Sequence, residues 1–113
     1  MYLQVTKGEA MNERIIKLST WVMDDLERRI LVDIRDEMPS VIIETDMDSL
    51  KGTSRTVKVK VNDEGLRVLH NECKVTARNW AGEYSYDKSN SEARNEYLIW
   101  SRAEARLASL LAE

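Results

Sequence analysis

Apolar residues at Met11, Ile15, Leu18, Val22, Leu26 and Ile30 recur at steps of three and four along the first third of the chain. That spacing gathers them on one face of an α-helix, and Ile16, Met23 and Ile34 widen the face. It predicts a helix from Ala10 to about Met38. Gly8 stands just before the start, and Glu9 and Glu13 lie where the positive end of a helix dipole favours acids. Pro39, the only proline, disfavours helical geometry at Met38 and stops the element. The face is clean only as far as Leu26. Beyond it Arg29 and Asp33 intrude, while Ile30, Val32 and Ile34 alternate with Leu31, Asp33 and Arg35, so a switch from helix to strand near Arg28 is the competing reading.

The remaining elements follow from shorter signals. Tyr2 to Val5 reads as a short edge strand. Ser40 to Glu44 carries the β-branched run Val41-Ile42-Ile43 and reads as a strand. Residues 46–54 are polar, hold Gly52 and read as a loop. From Arg55 to Val61 the alternation is strict: Val57, Val59 and Val61 point one way, Lys58 and Lys60 the other. Asn62-Asp63-Glu64-Gly65 suits either a hairpin loop or a helix start with Asn62 as cap. The steps Leu66, Leu69, Cys73, Ala77, Trp80 and a glycine at Gly82, where a C-terminal cap would stand, favour the helix. Ser89-Asn90-Ser91-Glu92 has the form of a capping box and opens a last helix through Leu111.

These readings combine into an α+β single domain over residues 1–113: a long N-terminal helix, a small antiparallel sheet within Ser40 to Val61, and two C-terminal helices. A helix from Ala10 to Met38 would be about 40 Å long, whereas a compact domain of this length is roughly 35 Å across. An overhanging amphipathic helix needs a cover, so a homodimer through the first helix is expected.

Composition narrows the function classes. The chain is 42% apolar and 33% charged, which suits a folded domain and argues against disorder. No apolar run approaches the ~20 residues of a membrane span, and Met1-Tyr2-Leu3-Gln4-Val5 lacks the form of a signal peptide. With one cysteine, Cys73, an internal disulfide is impossible, and a cytoplasmic setting without membrane association is expected. One histidine, His70, and no glycine-rich loop leave none of the spacings on which readable enzyme mechanisms depend, so neither a catalytic residue nor a cofactor is expected.

Charge is laid out in two blocks. From Asp24 to Asp48 nine acids face three arginines; from Lys51 to Arg78 seven bases face three acids. Glu44, Asp46 and Asp48 would share one side of an extended strand, as oxygen ligands of a divalent cation often do, yet the rest of a calcium loop is missing and no metal is expected. Glu72-Cys73-Lys74 matches the Glu-x-Lys pattern of magnesium-dependent nucleases, but on a helix the two charges diverge. His70 has no second ligand in its own element, and Cys73 lies on the apolar stripe as a buried thiol.

Two surfaces remain. On the first helix Trp21 projects away from the apolar stripe, among Arg14, Lys17 and Arg28, with Asp24 and Asp25 beside it. An apolar anchor ringed by charge is the composition of a protein-interface hot spot. The leading expectation is therefore a small non-enzymatic protein-binding module, an inhibitor, adaptor or accessory factor of the size common among bacterial and phage regulators. Its contacts would be Trp21, Asp24, Asp25 and Arg28. The alternative is a nucleic-acid-binding accessory protein using the basic segment Lys51 to Trp80. There Lys58, Lys60, Lys74 and Arg78 would contact phosphates, and Thr76-Ala77-Arg78-Asn79-Trp80 resembles the composition of a recognition helix.

Overall fold

The computed structural model describes residues 13–113. The edge strand read at Tyr2–Val5 and the helix start read at Ala10 lie outside the described residues. The chain forms two compact units that divide between Leu66 and Arg67.

The first unit opens with strand β1 (Arg14–Ser19), followed by helix α1 (Thr20–Leu26). This overturns the long N-terminal helix. Ile15, Leu18 and Val22 fit a helical spacing, but Arg14 to Ser19 equally reads as alternation, and pairing with a neighbouring strand decides the matter. Six residues of β1 pair antiparallel with β3 (Thr56–Val61), Arg14 opposite Val61 and Ser19 opposite Thr56. Ile16 and Leu18 then turn into the core, while Ile15 is 67% exposed, which a helical stripe does not allow for. The strand becomes a helix at Ser19, whose hydroxyl accepts from Val22 N–H at 3.4 Å. Thr20 ties the junction to the sheet, donating its N–H to Arg55 C=O at 2.9 Å and its hydroxyl to Ser54 C=O at 2.7 Å.

Helix α1 continues without a break through a π-helical stretch (Glu27–Leu31) into α2 (Val32–Glu37). At about 1.5 Å per residue the whole stretch from Thr20 is at most about 27 Å long, so the overhang disappears and the length argument for a homodimer lapses with it. The π turn also explains the disordered pattern beyond Leu26. Each π turn takes in an extra residue, so the fully buried position after Leu26 is Leu31, five residues on, and Ile30 is only half-buried.

Strand β2 (Ile43–Thr45) pairs antiparallel with β3, Ile43 opposite Val61 and Thr45 opposite Val59, so the sheet order is β1-β3-β2. One sheet face, Ile16, Leu18, Ile43, Val57, Val59 and Val61, is buried together with Val22, Met23, Leu26 and Leu31 from the helical stretch. The other carries Ile15, Lys17, Lys58, Lys60 and Glu44, all exposed. Between β2 and β3 the segment read as a loop contains a single-turn helix, α3 (Met47–Leu50).

Helix α4 (Asp63–Tyr86) starts where Asn62 was read as a cap and runs past Gly82 by four residues; no glycine in the described chain has a positive φ. Most of α4 belongs to the second unit, with helix α5 (Ser91–Leu111). The cap of α5 is Asn90, one residue later than the capping box placed it; its side chain accepts from Ala93 N–H at 3.0 Å. Leu69, Cys73, Ala77, Ala93, Trp100, Ala103 and Leu107 are the buried apolar residues of this unit's helical faces, with Thr76 buried among them on α4. Among the described residues no helix is long and apolar enough to cross a membrane.

Candidate functional site

Burial of one side of α1 fixes what its other side presents. Val22, Met23 and Leu26 are fully buried, so Trp21 is turned outward and is 60% exposed. Farther along the same helical stretch Val32 is 57% exposed. Between these two apolar residues lie two ion pairs, Arg28 Nη2 to Asp24 Oδ2 at 2.9 Å and Arg29 Nε to Asp25 Oδ2 at 3.0 Å. Both join residues four apart with the acid on the N-terminal side, the orientation the helix dipole favours, and each contributes about 0.3–0.5 kcal/mol. Their larger effect is positional, because they hold two guanidinium groups beside the helix instead of leaving them to sample solvent. Asp33, Asp36 and Glu37 extend the exposed surface as a run of acids.

The sequence-predicted contacts Trp21, Asp24, Asp25 and Arg28 therefore lie on one accessible helix, with the Arg28 side chain 71% exposed. The surroundings of Trp21 need correction. Arg14 and Lys17 are residues of β1, not of the helix that carries Trp21, because the strand displaces the first turns of the expected helix.

Behind this face a clasp fixes the π stretch to the sheet. Glu27 accepts from both terminal nitrogens of Arg35, at 2.8 and 2.6 Å, and from the Thr45 hydroxyl, and Arg35 Nε donates to Ile43 C=O at 2.9 Å. Burial pushes the Glu27 carboxyl up, but the hydrogen bonds from Arg35 and Thr45 and the Arg35 charge outweigh it and hold the group below its ordinary value. The bonds to Glu27 likewise raise Arg35 against the opposing effect of burial. A separation of eight residues gives no α-helical signal, since it leaves the pair about 80° apart around the axis. The π turn brings the two into line. The clasp is fully satisfied internally and leaves no carboxylate oxygen aimed at a ligand.

The residues of the alternative reading fall into different units. Lys58 and Lys60 stand on the open face of the sheet, where Lys60 Nζ lies 3.6 Å from Glu13 and 3.8 Å from Glu44. Lys74 and Arg78 are exposed on α4 in the second unit, while Thr76 and Ala77 of the recognition-like stretch are buried.

Asp46 is not in a strand: it caps α3, accepting from Ser49 N–H at 3.3 Å and the Ser49 hydroxyl at 2.8 Å, and these bonds hold its carboxyl below its ordinary value. Glu44 faces Lys60, and Asp48 lies in the first turn of α3. Among the described residues no three His, Cys, Asp or Glu side chains converge as a metal site. Glu72 and Lys74 sit on a helix, half-buried and exposed respectively. Cys73 is buried. His70 Nε2 is buried without a hydrogen bond, 3.5 Å from Glu104 Oε2 on α5, a neighbour that its own element could not reveal. Comparison with protein-family models, with curated proteins and with solved structures finds no match for this chain.

Proposed function

We propose that this protein is a non-enzymatic binding module, an inhibitor, adaptor or accessory factor, that engages a protein partner through Trp21, Asp24, Asp25 and Arg28. The observation that carries the reading is the 60% exposure of Trp21 beside a fully buried Val22-Met23 pair. A tryptophan left outward on an ordered helix, bordered by oriented charges, supplies both an apolar anchor and a polar rim. Ordering that rim in the free protein lowers the entropy cost of docking. Truncating a hot-spot Trp costs about 2 kcal/mol or more, roughly thirtyfold in affinity. The rim acids act instead on association rate and its salt dependence.

The test uses the full-length chain as an affinity bait, with wild type and Trp21→Ala compared quantitatively. The reading expects a captured protein whose yield falls at least tenfold with Trp21→Ala, while the melting temperature moves by no more than a few degrees. Equal capture by both baits, or a Trp21→Ala variant that melts far below wild type, contradicts it.

A further inference from the structure

Sorting the charges of the second unit by exposure separates the two signs. Residues 67–113 hold seven bases and seven acids, so the unit is neutral as a whole. Along the helix bodies, from Arg67 to Gly82 and from Arg94 to Ser109, every exposed charge is nevertheless basic: Arg67, Lys74, Arg78, Arg94, Arg102 and Arg106. The acids of those spans are half-buried. Glu96 accepts from the Trp100 indole at 3.3 Å, and Glu104 stands 3.5 Å from His70. The exposed acids gather at the connection between the helices, as Glu83, Asp87 and Glu92, and at the terminal Glu113.

On α4 the sorting produces a row. Arg67, Asn71, Lys74 and Arg78 follow one another at steps of four, three and four, and all are exposed, with Asn79 beside them. From Arg67 to Arg78 the row is about 16 Å long. Among the described residues Arg67, Lys74 and Arg78 make no ion pair.

We propose that this row of α4 docks on duplex DNA, with Arg67, Lys74 and Arg78 on phosphates and Asn71 toward the groove. Three aligned cations complement a phosphate backbone, and the exposed acids Asp63 and Glu64 of the same helix stand in its first turn, before the row begins. The Asn71 amide in the same row matches the hydrogen-bonding edges of bases, adenine above all. A helix about 10–12 Å across fits the B-form major groove, about 12 Å wide, whereas the A-form major groove of RNA is too deep and narrow for it. An anionic membrane would need a broad apolar flank on the helix, and between Arg67 and Gly82 the exposed large apolar residue is Val75 alone. The proposal is independent of the Trp21 face, which belongs to the first unit.

The test is fluorescence anisotropy of a labelled duplex of about 20 base pairs with the full-length chain, at salt from about 50 to 200 mM. The wild type is expected to bind in the micromolar range at the lower salt. Arg67→Gln/Lys74→Gln/Arg78→Gln is expected to weaken binding at least tenfold and to lower the salt slope by about three. Lys58→Gln/Lys60→Gln, on the sheet of the first unit, is expected to bind as wild type. Should the triple variant not fold, Arg67→Gln and Lys74→Gln singly carry the test, each lowering the salt slope by about one. No binding by wild type at about 100 µM protein and low salt overturns the proposal. So does an unchanged affinity of the α4 variants, a loss confined to Lys58→Gln/Lys60→Gln, or tighter binding to phosphatidylserine vesicles than to DNA.

Discussion

Asn62 joins the sheet to α4 with one side chain. Its Oδ1 accepts from Gly65 N–H at 2.8 Å and from Ile42 N–H at 3.1 Å, and its Nδ2 donates to Ser40 C=O at 2.7 Å. The first turn of the helix is thereby drawn against the chain entering β2, so closely that a Cβ on Gly65 would stand 2.1 Å from the Ile42 carbonyl oxygen. Backbone on both sides leaves nothing flexible to yield. Gly65→Ala is expected to destabilise the protein by about 2 kcal/mol or more, lowering the melting temperature by on the order of 10 °C. A change within a degree or two would show that the helix start is not held there. Glu27 makes a second prediction at this scale. Its folded pKa lies below the ordinary 4.5, so its contribution is complete above that value and is lost as pH falls through the lowered one. Glu27→Gln should therefore be less stable than wild type at neutral pH, and the gap should narrow on acidification below about pH 4.5. Thermal melts of both proteins from neutral to acidic pH measure this, and a constant gap would contradict it.

Among the elements, those defined by local chemistry were legible and those defined by pairing or irregularity were not. The alternation from Val57 to Val61 needs no partner to be read, and the structure places a strand there. The start of α4 was legible from Asn62, because a cap is a local hydrogen bond. Strand β1 was hidden because its spacing suits a helix as well, and the six-residue pairing with β3 that decides it is remote in sequence. The π stretch was hidden because an i-to-i+5 step from Leu26 to Leu31 breaks an α-helical template without matching a strand. Gly82 was misread for a different reason. Glycine commonly ends helices, but here it continues one with ordinary φ and open space around it: nothing stands within 4 Å of a Cβ placed there. Gly82→Ala is expected to stabilise the protein by about 0.5–1 kcal/mol, read as a rise of a few degrees in melting temperature. A cap glycine would give the opposite sign.

Over the whole molecule, charge follows the units and not the blocks read along the chain. Residues 13–66 hold twelve acids and nine bases, while the second unit is neutral, so the net charge of −3 belongs to the first. The block from Lys51 to Arg78 is cut at Leu66, which sends Lys58 and Lys60 to the sheet and Lys74 and Arg78 to α4. Sequence order could not foresee that division. The Trp21 helix fared better: the exposed residue was identified, since which side of a short helix faces inward follows from Val22, Met23 and Leu26 alone, although Arg14 and Lys17, read on the same helix, lie on β1. The account rests most heavily on Trp21 being an outward anchor, and iodide quenching of tryptophan fluorescence tests this directly. Trp100 is 1% exposed, Trp80 is half-buried and Trp21 is 60% exposed, so Trp21 should dominate the quenchable signal. The account predicts a steep quenching slope for wild type, a much shallower one for Trp21→Phe, and a fall of the wild-type slope when the captured partner is added. Equal slopes for wild type and Trp21→Phe, or a wild-type slope unchanged by the partner, would contradict it.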